Sequence, residues 1–427
     1  MNKIVDESKY KKRLIDDKIN EYLEVFGAIC IEGPKWSGKS WTSSHHAKSE
    51  FLVGDPANNF SNRQLALTDP ALIFNGEPPR LIDEWQEVPP LWDAARAYTD
   101  RKTEKGQLIL TGSSTPKRKG VLHTGTGRIE SIRMSTMSLY ESGDSTGKVS
   151  LTDLINNSFK PFIAEQTSIE KIAYLIVRGG WPGNIAVKEK SASLLAESYI
   201  RNVINEDIKK ISDEDKTDYK SSIIQLLLKS LARNESTTAS NNKIMSDVSE
   251  FEKETLSKNT YVKYMDVLRR LFLINNTPPF STNVRSSLRI KQQEKRHLSD
   301  PSLAAALLNL TPAKLLKDLN TMGFLFEALV EHDLEIYAET IGGKLYHYQD
   351  YNGGEIDAVI ELNNGEWCAV EIKLGMGKAD EGSDNIATIC RSIDKQPIMK
   401  CVIYGVGNAA YQRNDGTYVI PVTALKP

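Results

Sequence analysis

The sequence predicts an α/β protein of several domains, and three observations lead to this prediction. The chain has 427 residues, a length typical of roughly two to four domains. A short hydrophobic run, a glycine-rich segment and a helical pattern follow one another near the N-terminus, as in a parallel α/β layer. The middle is mostly helical in periodicity, and the C-terminal part alternates as strands around a hairpin turn. We expect an α/β domain at 1–150, a helical region at 151–310 and a second α/β domain at 311–427.

The composition is that of an ordinary globular protein. Hydrophobic residues make up 40% and charged residues 26% of the chain, with a net charge of −2, so the overall charge favours no nucleic acid or membrane partner. The four cysteines are scattered without a C-x-x-C pair, which is typical of buried thiols in a reducing compartment. The sequence contains no run of about 18 apolar residues, the length that a membrane span requires. We expect a cytoplasmic protein that does not bind a membrane.

The segment Gly33–Ser40 carries the most specific motif of the chain. Its residues, Gly-Pro-Lys-Trp-Ser-Gly-Lys-Ser, fit G-x-x-x-x-G-K-[ST], the phosphate-binding loop of nucleoside triphosphatases. A hydrophobic run at Gly27–Ile31 precedes it and a helix can follow from Lys39, which gives the strand–loop–helix order of such loops. Lys39 is expected to reach the β- and γ-phosphates and Ser40 to ligate Mg²⁺, which makes ATP and Mg²⁺ the expected cofactors. The predicted nucleotide-binding residues of the loop are Gly33, Pro34, Lys35, Trp36, Ser37, Gly38, Lys39 and Ser40.

A second nucleotide signal follows at Leu81–Glu84. Two apolar residues lead into Asp83 and Glu84, as at the end of a short strand. Asp83 is expected to organise Mg²⁺ through water, and Glu84 to polarise the attacking water as the general base. An exposed acidic pair at a strand end is the alternative, but the preceding phosphate loop favours the catalytic interpretation.

Further polar positions complete the predicted nucleotide site. The hydrophobic run Gln107–Leu110 ends in hydroxyl residues, and Thr111 or Ser113 is expected to sense the γ-phosphate. The alternative is a strand closed by a Gly-Ser turn. Arg128 follows a basic stretch at 117–119 and is the candidate catalytic arginine finger, acting on its own nucleotide or on that of a neighbouring subunit. The second case implies a homo-oligomer, and a surface arginine is the alternative to both.

The middle region predicts a helix-turn-helix with a wing. Ser222–Ala232 reads as an apolar helix, 234–242 as a polar loop and 272–274 as a short strand after a second helix that begins near Ser257. This second helix would present Lys258, Asn259 and Lys263 to a DNA groove. The wing would carry the basic residues Arg285, Arg289, Lys291, Lys295 and Arg296. Because winged helices also serve as protein–protein spacers, DNA contact and protein contact are both open.

The C-terminal part contains a pattern of acids typical of a magnesium site. Gly354–Glu361 alternates as a strand that carries Asp357, and a hairpin turn leads to a strand in which Glu371 and Lys373 project to one side. Two carboxylates and a lysine on adjacent strands form a Mg²⁺ site with a water-activating cation, the D…E-x-K arrangement of restriction-endonuclease-like nucleases. Glu327, on a predicted helix, fits the further acidic ligand of such sites. The alternative is a hairpin with solvent-facing charges.

Several motifs run through the chain in a set order. They are the phosphate loop, Leu81–Gln86 with Pro89, Leu110–Ser114, Gly127–Arg128, Gly179–Pro182, Asp300, Glu355–Asp357 and Glu371–Lys373. Over nearly the whole chain this set resembles bacterial and archaeal ATP-binding proteins that join an AAA-type ATPase to a C-terminal domain of unknown function with a restriction-endonuclease-like, PD-(D/E)XK fold. The resemblance implies a P-loop ATPase with no defined substrate. In this chain Ser40 stands where threonine is frequent, and Gly125–Gly127 replaces Leu-Ala-Gly before Arg128.

Three functional hypotheses follow from these observations. In the first, an ATPase controls a DNA-binding or Mg²⁺-dependent nuclease-like C-terminal domain, with double-stranded DNA as the partner. In the second, a slow ATPase acts as a switch that exposes a non-catalytic C-terminal domain to an interaction. In the third, this domain grips DNA without cutting it. We favour the first, and no base-reading motif separates ATP from GTP.

Overall fold

The computed structural model describes residues 3–102, 104–115, 125–250, 256–283, 292–350 and 353–427. The chain divides into two compact units, and each has its own sheet. The first unit comprises Met1–Thr136 and Val267–Leu273, and the second comprises Met137–Asp266 and Ile274–Pro427. Among the described residues, no helix has the length and apolar character that crossing a membrane requires.

The first unit is built on a parallel sheet with helices around it. Its described strands are β1 (Ala28–Glu32), β2 (Ser49–Leu52), β3 (Arg80–Asp83), β4 (Leu108–Gly112) and β5 (Ile129–Arg133), in the order β2-β3-β4-β1-β5. Its described helices span Ile15–Val25, Lys39–His46, Ala57–Thr68, Pro70–Ile73 and Leu91–Arg101. The central strands are apolar on both faces because helices cover both: Ile29 and Ile109 pack into one core, Cys30 and Leu110 into the other.

The strand order fixes where polar residues of this unit meet. All neighbouring strands of the sheet are parallel, so their carboxyl ends lie at one edge. The strand β4 lies between β1 and β3. The loop that follows β1, the acids that end β3 and the hydroxyl residues that end β4 therefore come together at this edge, as the sequence predicted.

The second unit combines many helices with a mixed sheet. Its described helices span Leu139–Ser142, Leu151–Ile155, Ile169–Arg178, Leu194–Asn202, Ile208–Asp215, Ser221–Arg233, Asn241–Ser249, Pro301–Leu307, Pro312–Leu315, Leu319–Thr340 and Ala379–Cys390, and the helix Lys258–Arg270 includes the unit boundary. Its described strands are β6 (Val149–Ser150), β7 (Phe162–Thr167), β8 (Gly343–Gln349), β9 (Glu355–Leu362), β10 (Trp367–Gly375), β11 (Met399–Gln412), β12 (Tyr418–Pro421) and β13 (Leu425–Lys426). The main sheet has the order β12-β11-β10-β9-β8, with β7 beside β11. Strands β8, β9 and β10 are antiparallel, whereas β10, β11 and β12 are parallel.

The middle region is helical, but its details depart from the predicted winged helix. The predicted polar loop ends at Ser240, whose hydroxyl accepts a hydrogen bond of 3.2 Å from the backbone N–H of Lys243 and so caps a helix. The predicted strand at 272–274 begins in a turn, since Phe272 has φ of +54°. Ile274 and Thr277 pair with Leu298 and Lys295 through isolated antiparallel bridges. A regular two-stranded wing is not formed by these described residues.

The prediction of an exposed basic wing is also wrong for Lys295 and Arg296, the two basic wing residues that the structure describes. Lys295 and Arg296 are buried, and the guanidinium of Arg296 donates to the carbonyl of Ala239 and to Asn241 Oδ1, each at 2.9 Å. Neither side chain is open to a DNA phosphate. Arg285, Arg289 and Lys291 lie outside the described residues. Lys258, Asn259 and Lys263 are exposed on their helix, and their contact with DNA stays a prediction.

Two motifs that the family resemblance singled out, around Gly179 and Asp300, pack against each other. The carboxylate of Asp300 accepts hydrogen bonds from the N–H of Gly180 at 2.9 Å and from the N–H and hydroxyl of Ser302 at 2.9 and 2.6 Å. The indole of the buried Trp181 donates to the same hydroxyl at 2.9 Å. At Gly179, φ is +68° and a Cβ would lie 2.4 Å from Asp300 Oδ1. These residues hold a loop and a helix N-terminus together.

Candidate functional site

The loop after β1 has the backbone shape that a phosphate-binding loop needs. At Gly33, φ is +155° and a Cβ would lie 2.2 Å from the carbonyl oxygen of Met134. At Gly38, φ is +101° immediately before the helix Lys39–His46. Only glycine tolerates both the close approach and the positive φ. The motif predicted that the loop needs glycine at positions 33 and 38, and the φ values and the close contact confirm this.

Lys39 lies at the base of this loop and turns back onto it. Its ammonium donates to the carbonyls of Gly33 at 3.0 Å and Pro34 at 2.8 Å, and the residue is 5% exposed. Burial lowers the pKa of Lys39 to about 8, although the nearby carboxylates of Glu84 and Asp83 oppose the shift. The ammonium is held by weak neutral acceptors at the place where a phosphate would offer stronger ones.

The remaining loop residues surround the same position. The hydroxyl of Ser37 is fully buried and has no hydrogen-bond partner among the described residues. An orphaned buried hydroxyl costs free energy, so a nucleotide phosphate fits this loop. Ser40 is in the first turn of the helix, Lys35 is half-buried and Trp36 is exposed. The structure thus brings together the loop residues that the sequence predicted.

The acids after β3 are held by the hydroxyl groups of β4. Asp83 Oδ1 accepts a hydrogen bond of 2.6 Å from the hydroxyl of Thr111, which itself accepts one of 3.0 Å from the N–H of Glu84. Glu84 has φ of +59°, and its Oε2 accepts from Ser113 Oγ at 3.0 Å and from the amide of Gln86. Thr111 and Ser113, predicted as γ-phosphate sensors, contact the two acids here. Their predicted role at a phosphate stays a prediction.

Two further residues belong to this site, and neither was given a role from the sequence. Gln86, which ends the Leu81–Gln86 motif of the family resemblance, donates to Glu84 Oε2 and also to Ser113 Oγ at 3.2 Å. Arg13 is buried and donates to the carbonyls of Ser37 and Ser135, each at 2.9 Å. Arg13 thus connects the N-terminal segment to the phosphate loop through hydrogen bonds. No pattern of neighbouring residues in the sequence predicts this role.

Arg128 lies away from the phosphate loop of its own chain. It precedes β5 and its carbonyl accepts from the N–H of Ala28, at the amino end of the sheet. The loop follows the carboxyl end of β1, and a five-residue strand spans about 16 Å. The side chain of Arg128 is 53% exposed and paired with Asp100. This position excludes action on the nucleotide of its own chain. Action on a neighbouring subunit stays a prediction, and a surface arginine stays the alternative.

The second predicted site lies where β9 and β10 pair. Val370 faces Ala358 in the antiparallel register, which brings Asp357 beside Glu371. Lys373 Nζ lies 2.7 Å from Glu371 Oε2 and 4.0 Å from Asp357 Oδ2. Asn385 donates to Glu371 Oε1 at 2.8 Å. Burial raises the pKa of Glu371 to about 7, the Asp357 carboxylate adds to this effect, and Lys373 opposes it.

Glu327 reaches this region from its helix but does not fit as a metal ligand. Its carboxylate pairs with the ammonium of Lys295, which also contacts Glu331 at 3.0 Å and the carbonyl oxygen of Asp357 at 3.1 Å. An ammonium thus stands where a metal would have to approach Glu327. Within the described ranges, no group of three or more His, Cys, Asp and Glu side chains is arranged to hold a metal ion. Glu371 also contacts an ammonium, that of Lys373, and the metal-binding role of Asp357 and Glu371 stays a prediction.

Comparisons with known proteins agree with the first of these sites. Residues 26–143 match the profile described as AAA domain. Residues 169–314 match a domain of unknown function, DUF8612, and residues 322–425 match a second one, DUF4143. The matches to domains of unknown function give neither a nuclease activity nor a DNA partner.

Two proteins that match most of this chain are themselves described as uncharacterized, so they indicate no activity either. The uncharacterized protein Rv2008c of Mycobacterium tuberculosis is 21% identical over 415 residues, which cover 96% of this chain and 83% of that protein. The uncharacterized protein Mb2031c of Mycobacterium bovis matches with the same identity and coverage. Among solved structures, the Walker-type ATPase paby2304 of Pyrococcus abyssi covers 72% of this chain and 98% of its own, with 12% identity and a TM-score of 0.45. From its profile match and its loop geometry, we conclude that the chain carries an AAA-type P-loop domain at its N-terminal end.

Proposed function

We propose that this protein binds and hydrolyses ATP at the loop Gly33–Ser40. The observation that carries the proposal is the meeting of Lys39, Asp83 and Glu84 at one edge of the parallel sheet, beside the orphaned hydroxyl of Ser37. AAA-type domains typically use ATP with Mg²⁺, and Ser40 and Asp83 are the residues that would hold the metal ion. Bound Mg²⁺ would neutralise charge that develops on the phosphates.

Binding requires Lys39 to change its hydrogen-bond partners. Its ammonium leaves the carbonyls of Gly33 and Pro34 and donates to phosphate oxygens, which form stronger charge-assisted bonds. The backbone N–H groups at the N-terminus of the helix Lys39–His46 add their partial positive charge. The affinity for nucleotide therefore depends on the charge of Lys39.

Hydrolysis requires Glu84 to accept a proton from the attacking water. Its Oε2 accepts hydrogen bonds from Ser113 and Gln86 in the structure. We propose that Glu84 turns from these partners, or shares Oε2 with them, when it engages the water. Thr111 keeps Asp83 in place through its hydroxyl.

Phosphate release tests this proposal. The wild-type chain should release phosphate from ATP in Mg²⁺, whereas Lys39→Ala and Glu84→Gln should not. Lys39→Ala should also lose nucleotide binding, and Glu84→Gln should keep it, since it removes only the base. Lys12→Ala, at an exposed lysine outside the loop, serves as the control. Equal phosphate release by wild type and Glu84→Gln would show that Glu84 is not the base.

A second candidate function is Mg²⁺-dependent cleavage of a nucleic acid by the C-terminal domain, under the control of the nucleotide state. The pairing of Asp357 with Glu371 across β9 and β10, with Lys373 at 2.7 Å from Glu371, supports it. Two carboxylate oxygens and a neighbouring ammonium suit a metal-bound phosphodiester. Double-stranded DNA is the proposed partner, and a homo-oligomer would supply Arg128 to a neighbouring nucleotide.

The alternative is a slow ATPase switch with a non-catalytic C-terminal domain. Cleavage of double-stranded DNA in Mg²⁺ or Mn²⁺ by wild type, lost in Asp357→Ala with unchanged phosphate release, would support the nuclease. DNA binding that falls steeply with salt, without cleavage, would support a DNA-gripping domain. A nucleotide-dependent change of mass or shape in light scattering, without any DNA effect, would support the switch.

A further inference from the structure

Lys295 is a buried cation at the centre of a group of acids. Its side chain has no exposed surface. Its ammonium donates to Glu327 Oε1, to Glu331 Oε1 at 3.0 Å and to the carbonyl oxygen of Asp357 at 3.1 Å. An ammonium has three N–H donors, and these three acceptors use them all. A fourth oxygen, Glu355 Oε1, lies 3.7 Å from the same Nζ.

The acceptors around this ammonium are the kind that a hard metal ion prefers. Carboxylate and carbonyl oxygens ligate Mg²⁺, Mn²⁺ and Ca²⁺, and four such oxygens face Lys295 Nζ. We propose that Lys295 is the built-in cation of the C-terminal acidic cluster: its ammonium takes the place and the charge of a metal ion among Glu327, Glu331 and Glu355. It follows that Glu327 is not a metal ligand in this protein.

The charge balance supports this role. Three carboxyl groups lie within 4 Å of a single buried ammonium. Burial raises the pKa of Glu331 to about 7 and the pKa of Glu327 well above its usual value, and the ammonium of Lys295 opposes both shifts. Without the ammonium these groups must take up protons or face one another as like charges away from water. Burial would lower the pKa of Lys295, but the carboxylates of Glu331 and Glu327 raise it well above its usual value. Lys295 therefore stays charged, and its geometry is that of a permanent counter-ion.

The cluster continues into the middle region of the chain. The second oxygen of Glu331 lies 3.2 Å from His297 Nε2, and His297 Nδ1 lies 3.1 Å from Glu235. The N–H of Leu298 donates to the Glu235 carboxylate at 3.1 Å. Lys295 and His297 are on the same segment, so this segment connects the helical middle to the helix Leu319–Thr340. The neutralised cluster thereby joins the two parts of the second unit.

This inference rests on neither proposed function, because it is tested through unfolding and not through activity. Lys295→Met should lower the unfolding temperature of the nucleotide-free full chain in EDTA by about 10 °C, the effect of breaking a buried ion pair. Mn²⁺ or Ca²⁺ should recover at least half of this loss, because the vacated oxygens then accept a divalent ion. Lys243→Met is the matched control, since Lys243 is 53% exposed and pairs at 2.9 Å with the single carboxylate of Asp247.

The double variant Lys295→Met/Glu331→Gln separates charge from packing. If Lys295 acts as a counter-ion, removal of one acid should raise the unfolding temperature above that of Lys295→Met, even where the single variant fails to fold. A single variant as stable as wild type in EDTA would refute the proposal. So would a destabilised variant that neither divalent ions nor Glu331→Gln improves, because Lys295 would then only fill space.

Discussion

The pH dependence of nucleotide affinity gives a quantitative test of the role of Lys39. The Lys39 ammonium is buried against the carbonyls of Gly33 and Pro34, and burial lowers its pKa to about 8. A bound triphosphate favours the charged form and should return the pKa to its ordinary value of about 10.5 or above. Binding above pH 8 therefore requires the uptake of a proton.

The size of the effect follows from these two pKa values. Below about pH 7 Lys39 is charged with and without nucleotide, so it contributes no pH dependence. Between pH 8 and 10.5 only the complex keeps the proton, and affinity should fall about tenfold for each pH unit. The loss should reach about 30-fold at pH 9.5, which corresponds to about 2 kcal/mol.

Calorimetric titration with Mg²⁺ and a non-hydrolysable ATP analogue measures both quantities. At pH 9, experiments in two buffers of different ionisation enthalpy should show uptake of about 0.9 proton for each nucleotide bound. Lys35→Met should keep the slope, since Lys35 lies in the same loop but is only half-buried. Lys39→Arg, whose guanidinium does not titrate in this range, should lose it.

A wild-type affinity that changes less than about threefold between pH 7.5 and 9.5 would refute this role of Lys39, because a pKa near 8 requires a larger change. The same conclusion would follow if Lys39→Arg bound nucleotide with the same pH slope as wild type. In that case another group would take up the proton, and the burial of Lys39 in the free loop would not control binding.

Three further substitutions test hydrogen bonds within the individual units. Ser113→Ala should lower kcat for ATP hydrolysis about tenfold with little change in KM, because its hydroxyl holds the Glu84 carboxylate; Ser113→Thr should restore kcat, and a change confined to KM would contradict this. Thr111→Val should raise the Mg²⁺ concentration for half-maximal hydrolysis several-fold, since Asp83 loses the hydrogen bond of 2.6 Å that orients it, and an unchanged Mg²⁺ requirement would count against this role. Asp300→Ala should lower the free energy of unfolding by about 2–4 kcal/mol in chemical denaturation, as a helix cap is lost and a buried N–H is left unpaired; a loss below about 1 kcal/mol would disprove that account.

The features that the sequence predicted well are those encoded by neighbouring residues. The spacing of Gly33, Gly38 and Lys39 expresses a backbone shape, and the structure shows the positive φ values that require glycine. Alternation in the hairpin predicted that Asp357 and Glu371 lie side by side, because a two-residue period fixes the face of each strand. In both cases the physical constraint acts over a few residues, so it can be read locally.

The features that the sequence analysis missed depend on distant partners or on one capping residue. Arg13 bonds to Ser37 and Ser135, which are 24 and 122 positions away. The helix Asn241–Ser249 was not predicted, and its first two residues were assigned to the polar loop 234–242; the cap at Ser240 together with packing decides its conformation. A pattern read along a short window contains none of this information.

Lys295 shows most clearly why charge in a sequence does not define a surface. In the sequence it belongs to a basic run that favours a DNA-binding wing, but its acceptors on Glu327, Glu331 and Asp357 lie 32, 36 and 62 positions away. Glu327 and Asp357 were expected to bind a metal ion, whereas Glu331 had no predicted role. Basic and acidic residues that each suggested a ligand instead neutralise one another inside the fold. Evidence for DNA binding in the middle region therefore reduces, among the described residues, to the exposed face that carries Lys258 and Lys263. A test of DNA binding should start by reversing those two charges.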